Sequence, residues 1–343
     1  MDDSFEKRKK SHFFLSLDSS SQSIRATGFD KIRLIHSALP DLDIEEVSIE
    51  QKWRGHVLKT PFFVSSMTGG WKDSKAFNLK LAKACAKHSW IMAVGSQRAQ
   101  LEDPSKAEEW KQIRKAQPNL ILLGNLGLSQ LLKSSISDIL RLVESLKAQG
   151  MIIHLNPLQE AIQKEGTAKF KGGLKAIEKL VKELALPVIV KETGCGMSKE
   201  TLDQLTDIGL AVLDVSGLGG THWGRIEGKR YDKNSAFFGI GESFSSWGIP
   251  TVESLIYSRE KPRDYELWAS GGLRTGLDSA KALAIGASFT GFGQIILKAL
   301  HESEQALDQL MSRLEYELKI SLFCTGSVNI KELQRTKKWE IIS

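Results

Sequence analysis

Cysteine is scarce in this chain: Cys85, Cys195 and Cys324 are the only three among 343 residues. They lie far apart, with no CxxC and no Cys/His spacing suited to zinc, which excludes a disulfide framework and a structural zinc site. Long apolar runs are missing as well. Even the greasiest stretch, 120–128, is broken by Gly and Asn well short of the ~18 residues a membrane span needs, so no membrane partner is expected. The first residues hold two Asp, the basic cluster Lys7-Arg8-Lys9-Lys10 and only a short apolar stretch before Asp18. That is too short for a secretory signal core, and a cytoplasmic location is expected. No repeat of 20–50 residues occurs, and Ser19-Ser20-Ser21 is the only low-complexity tract. The formal charge is +6 and the pI about 9.0. Outside the one cluster the basic residues are scattered, without any finger, zipper or RNA-binding signature, so no nucleic-acid partner is expected. An anionic small molecule fits the charge better.

What is present is alternation. Eight short apolar, β-branched runs begin at Pro61, Ile91, Leu120, Met151, Pro187, Ala211, Leu267 and Ser288, and each ends in polar or glycine residues. Between them, segments such as 74–88, 136–148, 174–184 and 277–285 carry apolar residues at helical spacing. Eight strand–helix units in succession predict an α/β fold, a (β/α)₈ TIM barrel forming one domain over 61–343, preceded by an extension, 1–60. Residues 221–248 make an unusually long loop after the sixth strand. Gly224, Gly228, Gly239 and Gly241 read as hinges that let it fold over a site.

Barrel active sites lie at the carboxyl ends of the strands. Those ends offer Met67-Thr68-Gly69-Gly70, Ser96-Gln97-Arg98, Asn125, His154 to Glu160, Lys191, Ser216 to Thr221, Gly271-Gly272-Leu273-Arg274 and Gly291 to Gln294. The last two loops have the glycines of a barrel phosphate cradle, which implies a phosphorylated cofactor. Lys191, ending a buried strand, suits the countercharge of a reduced flavin, and Thr68, Ser96 and Asn125 suit a flavin's polar edge. Ile152, His154 and Asn156 alternate to one face. Glu160 follows either as a lone carboxylate beside a Mg²⁺-bound polyphosphate or as an acid favoured at a helix start. Arg8, Lys9, His12 and Arg98 are donors matched to a diphosphate. The spacing of Arg8, Lys9 and His12 argues against a helical stripe, and Phe5, Phe13 and Phe14 read as anchors for the segment.

Met67-Thr-Gly-Gly, Gly95-Ser-Gln-Arg, His154-Leu-Asn-Pro-Leu-Gln-Glu, Gly219-Gly-Thr-His-Trp, Arg8-Lys-Lys-Ser-His and Gly271-Gly-Leu-Arg-Thr-Gly-Leu-Asp together resemble the type 2, FMN-dependent isopentenyl-diphosphate isomerase family, from Arg8 to about Leu333. The resemblance implies an FMN-binding barrel, Mg²⁺, NADPH or NADH as reductant, and a homo-oligomer, a tetramer or octamer. It implies substrate contacts from Arg8, Lys9, Ser96, Gln97, Arg98 and Gln159, with Glu160 as the Mg²⁺ ligand. FMN contacts are implied from Ser66, Met67, Thr68, Ser96, Asn125, Lys191, Ser216, Thr221, Gly271, Gly272, Arg274, Gly293 and Gln294. Two positions depart from the family pattern. His222 stands where a small Ser is expected, and Phe292-Gly293-Gln294 replaces an Ala-bearing segment near the flavin phosphate.

The implied reaction is a 1,3-proton shift between isopentenyl and dimethylallyl diphosphate, with reduced flavin as acid and base. His154, Gln159 and Glu160 are the side chains placed at the chemistry, with Asn156 beside the substrate and neutral Gln159 positioning the alkene or relaying a proton. The alternative is an FMN-dependent barrel oxidoreductase of the 2-hydroxy-acid or dihydroorotate type, since fold does not fix function. Such an enzyme needs a His or Cys base. Cys195 fills a glycine turn rather than serving as one.

Overall fold

The computed structural model describes residues 3–67, 71 and 73–342. Eight parallel strands close into a barrel: β1 (Phe62–Val64), β2 (Ile91–Ala93), β3 (Leu122–Gly127), β4 (Gly150–Leu155), β5 (Val188–Glu192), β6 (Val212–Asp214), β7 (Glu266–Ala269) and β8 (Phe289–Phe292), with β8 pairing back onto β1. Strands covered on both faces need apolar residues at every position, which is why they read in the sequence as short continuous runs.

The barrel interior is filled by alternate residues of those strands. Phe63, Ile91, Leu123, Ile152, Ile189, Val212, Trp268 and Phe289 form one buried cluster. The remaining core lies between the barrel and its helices. Two of these helices begin with a capping box, Ser135 with Asp138 and Thr275 with Asp278, which satisfies first-turn N–H groups. The helix expected over 136–148 ends at Leu146, because Lys147 turns into the left-handed region at φ 45°.

The extension is ordered in three pieces. An antiparallel hairpin, Gln51–Trp53 with His56–Leu58, sends Trp53 and Leu58 into the bottom of the barrel cluster. A short strand, Ile32–Leu34, pairs with the C-terminal Trp339–Ile341. The first fifteen described residues form helix α1 (Asp3–Leu17), contrary to the reading of its cations as a non-helical segment. Arg8 and His12 are four apart and share a face. That face was hidden in the sequence because it buries Arg8 and His12 rather than an apolar stripe.

Three further helices carry site residues: α2 (Pro157–Ile162), α3 (Trp223–Lys229) and α4 (Gln294–Glu302). The long loop reaches over the site through Thr221 and Trp223. It holds α3 and the turn Ile240–Ser243 against each other. A Cβ at Gly228 would come within 2.5 Å of the Gly241 nitrogen, and one at Gly241 within 2.2 Å of the Gly224 carbonyl. Those three glycines permit close helix packing, and Gly239, at φ 74°, starts the second helix.

Candidate active site

The period of two that fills the barrel also builds its mouth. On four of the strands a polar residue stands two beyond the inward apolar one: Asn125 after Leu123, His154 after Ile152 with Asn156 two further on, Lys191 after Ile189, and Ser270 after Trp268. Cross-strand register sets His154 beside Lys191 and Lys191 beside Asp214. His154 donates its Nδ1–H to Asn125 Oδ1 at 2.9 Å. Burial first, then the charges of Lys191 and Lys9, holds its pKa at about 3, so the ring is neutral. Burial also draws the Lys191 ammonium down, against the opposing pull of Asp214 and Glu192. Lys191 Nζ donates to the Glu192 carbonyl and lies 3.5 Å from Ser216 Oγ. The buried Asp214 carboxylate accepts from the Ser270 hydroxyl at 2.7 Å and from the Ser216 N–H at 3.1 Å. Lys191 therefore stands in the floor of the cavity, with the Asp214 carboxyl buried behind it.

Bare backbone forms one side. Gly271 and Gly272 have φ of 100° and 81°, conformations that only glycine adopts freely. A Cβ at Gly271 would meet the Gly217 carbonyl at 2.2 Å. The Ser65 and Ser66 hydroxyls are buried without a hydrogen-bond partner among the described residues. A buried hydroxyl left so is costly, and a cradle of glycine backbone beside it suits the phosphate and polar edge of a flavin mononucleotide.

The opposite side is cationic. Helix α1 brings Arg8, Lys9 and His12 over the mouth, facing Arg98 from the β2 loop and Gln159 and Glu160 from α2. Arg8 is 7% exposed, and its Nε has no partner among the described residues. Phe5 does not anchor the segment but covers its cations, its ring centroid 4.8 Å from the Arg8 guanidinium carbon. Phe13 is the anchor, packed 5.0 Å from Trp71 and 5.2 Å from Phe77, whereas Phe14 is half exposed. Burial, then Arg8 and Arg98, lowers Lys9 to about 8. Such stacked, desolvated cations call for a polyanion. Glu160 is the only carboxylate among the described residues lining the cavity. It stands in the first turn of α2, accepting from Asn156 Nδ2 at 3.2 Å and from the Thr167 N–H. One carboxylate with diphosphate oxygens and water satisfies Mg²⁺. A cage of three His, Cys, Asp or Glu is absent among the described residues.

Of the residues singled out from the sequence, the cavity gathers Arg8, Lys9, His12, Ser66, Met67, Ser96, Arg98, Asn125, His154, Asn156, Gln159, Glu160, Lys191, Ser216, Thr221, Gly271, Gly272, Arg274, Gly293 and Gln294. Thr68 lies outside the described residues. Gln97 is not brought in: it is 1% exposed, and its amide donates to the Leu142 carbonyl at 3.0 Å and accepts from the Asn125 N–H at 3.1 Å. Its side chain braces the β2 and β3 loops, so the substrate contact expected of it is corrected. His222 also faces away from the cavity. Fully buried, it accepts the Arg225 N–H on Nδ1 and caps α3. Cys195 sits between Gly194 and Gly196, both at positive φ, and burial pushes its thiol up.

Two residues were missed. Glu227 of α3 has a fully buried side chain, with Oε1 2.9 Å from His12 Nε2 and accepting from Gln159 Nε2 at 3.0 Å, while Oε2 pairs with Arg230. Burial raises a carboxyl, but His12, Arg230 and Gln159 outweigh it and hold Glu227 at about 2. His12 is itself drawn down by burial, and its Nε2 lies close to Glu227 without the alignment of a hydrogen bond. Gln22, from the extension, donates to Thr221 Oγ1 at 3.2 Å and accepts from Arg274 at 3.4 Å. Neither lies in a motif, since their partners are distant in the chain.

The chain's similarities agree with this geometry. A family model described as FMN-dependent dehydrogenase matches residues 156–340. An isopentenyl-diphosphate delta-isomerase of Bdellovibrio bacteriovorus is 47% identical over 337 residues, covering 97% of this chain and 97% of that protein. One from Legionella pneumophila is 47% identical over 331 residues, covering 96% of each. In fold, the chain resembles the flavin-binding domain of baker's yeast flavocytochrome b2, with a TM-score of 0.68 at 18% identity, over 97% of this chain and 82% of that one.

Proposed function

On the premise that this chain belongs to the isopentenyl-diphosphate delta-isomerase family, in its FMN-dependent branch, we propose that the cavity at the barrel mouth converts isopentenyl to dimethylallyl diphosphate. The observation that carries this reading is the convergence of Arg8, Lys9, His12 and Arg98 on a cavity whose other side is a glycine phosphate cradle. Two separate anion sites, one for the cofactor and one for the substrate, face a common floor.

The reaction adds a proton at one end of an alkene and removes one from the far carbon, with no net redox change. Reduced FMN, when bound, supplies an acid–base group and an electron-rich ring that stabilises positive charge. Everything else falls to the chain. Ser66, Asn125, Lys191, Ser216 and the Gly271-Gly272 backbone hold the cofactor, Lys191 as a fixed countercharge. Arg8, Lys9 and Arg98 bind the diphosphate, and Glu160 holds Mg²⁺ against it, suppressing its loss as a leaving group. The Gln159 amide is locked at both ends, its nitrogen on Glu227 and its oxygen 3.2 Å from Asn156 Nδ2. An amide so fixed orients the alkene without itself being a strong acid. Phe13, Trp71 and Trp223 roof the cavity and exclude water from a cation-like transition state.

A barrel oxidoreductase is less well supported. His222, the histidine of the β6 loop, is committed to capping a helix, and His154, held at about 3 by burial and by the charges of Lys191 and Lys9, is too weak a base to take the proton of a hydroxy acid. We also assign NADPH or NADH as the reductant, a homo-oligomer, tetramer or octamer, as the assembly, residues 1–60 as an extension serving the site, and the cytoplasm as the compartment. No helix among the described residues is long and apolar enough to cross a membrane. The deciding experiment is anaerobic turnover of isopentenyl diphosphate in deuterated water. Dithionite or NAD(P)H should switch the protein on without being consumed in proportion to product. Equal rates with oxidised flavin would overturn the acid–base role.

A further inference from the structure

Gln294 departs from the family pattern, and the structure gives its side chain a specific partner. It is the first residue of α4, following Gly293, so its backbone N–H is among those an α-helix leaves without an intrahelical partner. That N–H belongs to the β8 loop, the expected phosphate cradle. Its side chain runs the other way. Nε2 donates to the Ser16 carbonyl at 2.8 Å and reaches the Leu17 carbonyl at 3.4 Å. These are the last carbonyls of α1, which a helix also leaves orphaned and partially negative. One residue thus bridges the carboxyl end of α1 and the cofactor loop, while Arg8, Lys9 and His12 on the same helix face the substrate side.

We propose that Gln294 is a positioning residue that couples the two anion sites: the β8 loop in its anion-bound form seats α1, and a seated α1 presents its cations to the diphosphate. The inference rests on the two-site reading above. Coupling of this kind is reciprocal, so each anion tightens the other. Phe13 and His12 also hold α1, so loss of the Gln294 bridge loosens the helix without releasing it. A neutral hydrogen bond of this type corresponds to about a two- to tenfold change in an equilibrium constant.

The test is FMN affinity, measured by quenching of flavin fluorescence on the full chain, with and without inorganic pyrophosphate and Mg²⁺. The wild-type protein should bind FMN about two- to tenfold more tightly with pyrophosphate present. Gln294→Leu, whose backbone N–H is untouched, should lose most of the enhancement, read as the ratio of FMN affinities with and without pyrophosphate in the same variant. Gln294→Glu, whose carboxylate repels the α1 carbonyls, should lose all of it. In parallel, pyrophosphate should slow tryptic cleavage at Lys7 to Lys10 in the FMN-loaded wild type and not in Gln294→Leu. An enhancement that survives in both variants, or is absent from wild type, overturns the proposal. So does weaker binding of FMN alone with the enhancement intact, which makes Gln294 a plain cofactor contact. None of these readouts uses turnover, so failure of the isomerase reading would show separately.

Discussion

Replacing Glu227 by Gln keeps the shape of the side chain and removes its charge, which isolates what the buried carboxylate does. The carboxylate accepts from Gln159 on one oxygen, which also lies 2.9 Å from His12 Nε2, and from Arg230 on the other. An amide has one accepting oxygen and two donating hydrogens. With the oxygen toward His12 and Gln159, its NH₂ meets Arg230, a donor against a donor. With the oxygen toward Arg230, the NH₂ meets Gln159 and His12, and Gln159 must flip and lose Asn156. In either orientation at least one buried charge-assisted bond is lost, a cost of about 1.5 to 3 kcal/mol. A second estimate comes from proton linkage. A carboxyl moved from its unfolded value near 4.3 to about 2 is worth on the order of 3 kcal/mol. Because the folded pKa is the lower one, this stability is complete above the unfolded value and disappears as pH falls through about 2. Glu227→Gln should therefore unfold at lower denaturant concentration than wild type at pH 5 to 8, with the two curves converging toward pH 2. Since Gln159 and His12 both move, kcat/KM should fall at least about tenfold, the rate equivalent of 1.4 kcal/mol, and uniformly between pH 5 and 8. Urea titrations and initial rates on FMN-saturated protein decide it. A variant as stable and as active as wild type would show that the carboxylate does not hold these groups.

Lys9, at about 8 in the free protein, should make KM for isopentenyl diphosphate rise above pH 8 as its proton is lost; Lys9→Arg should flatten that rise, and a flat wild-type profile would remove Lys9 from the anion site. Glu160→Gln should keep bound FMN and lose most turnover, partly restored by higher Mg²⁺, whereas full activity at ordinary Mg²⁺ would end its role as metal ligand. Lys191→Met should weaken FMN or make it harder to reduce, because the reduced, anionic ring loses its buried countercharge; an unchanged affinity and potential would refute the assignment.

The barrel was legible because parallel strands buried on both faces must be apolar throughout and must end where the backbone meets the cavity, so each run carries its own boundary. Its mouth followed from parity: knowing that Ile152 faces inward places His154 and Asn156. Parity stops at the strand ends. Ser96, Gln97 and Arg98 are consecutive, and nothing in their order tells that Gln97 turns to the Leu142 carbonyl while its neighbours line the cavity. Helix α1 was misread because the usual signal, an apolar stripe, is replaced by polar and cationic residues turned into the cavity. Glu227 was invisible because its partner Gln159 lies 68 residues away, and a lone acid in a polar loop looks like any solvated one.

The hairpin that sends Trp53 into the lower barrel closes that end, so the cavity among the described residues opens at the mouth. Trp53, Trp268 and Phe289 seal the far end, and α1 lies across the threshold. Traffic must then be sequential. Whatever enters or leaves the cavity therefore passes α1, and the group held deepest arrives first and leaves last.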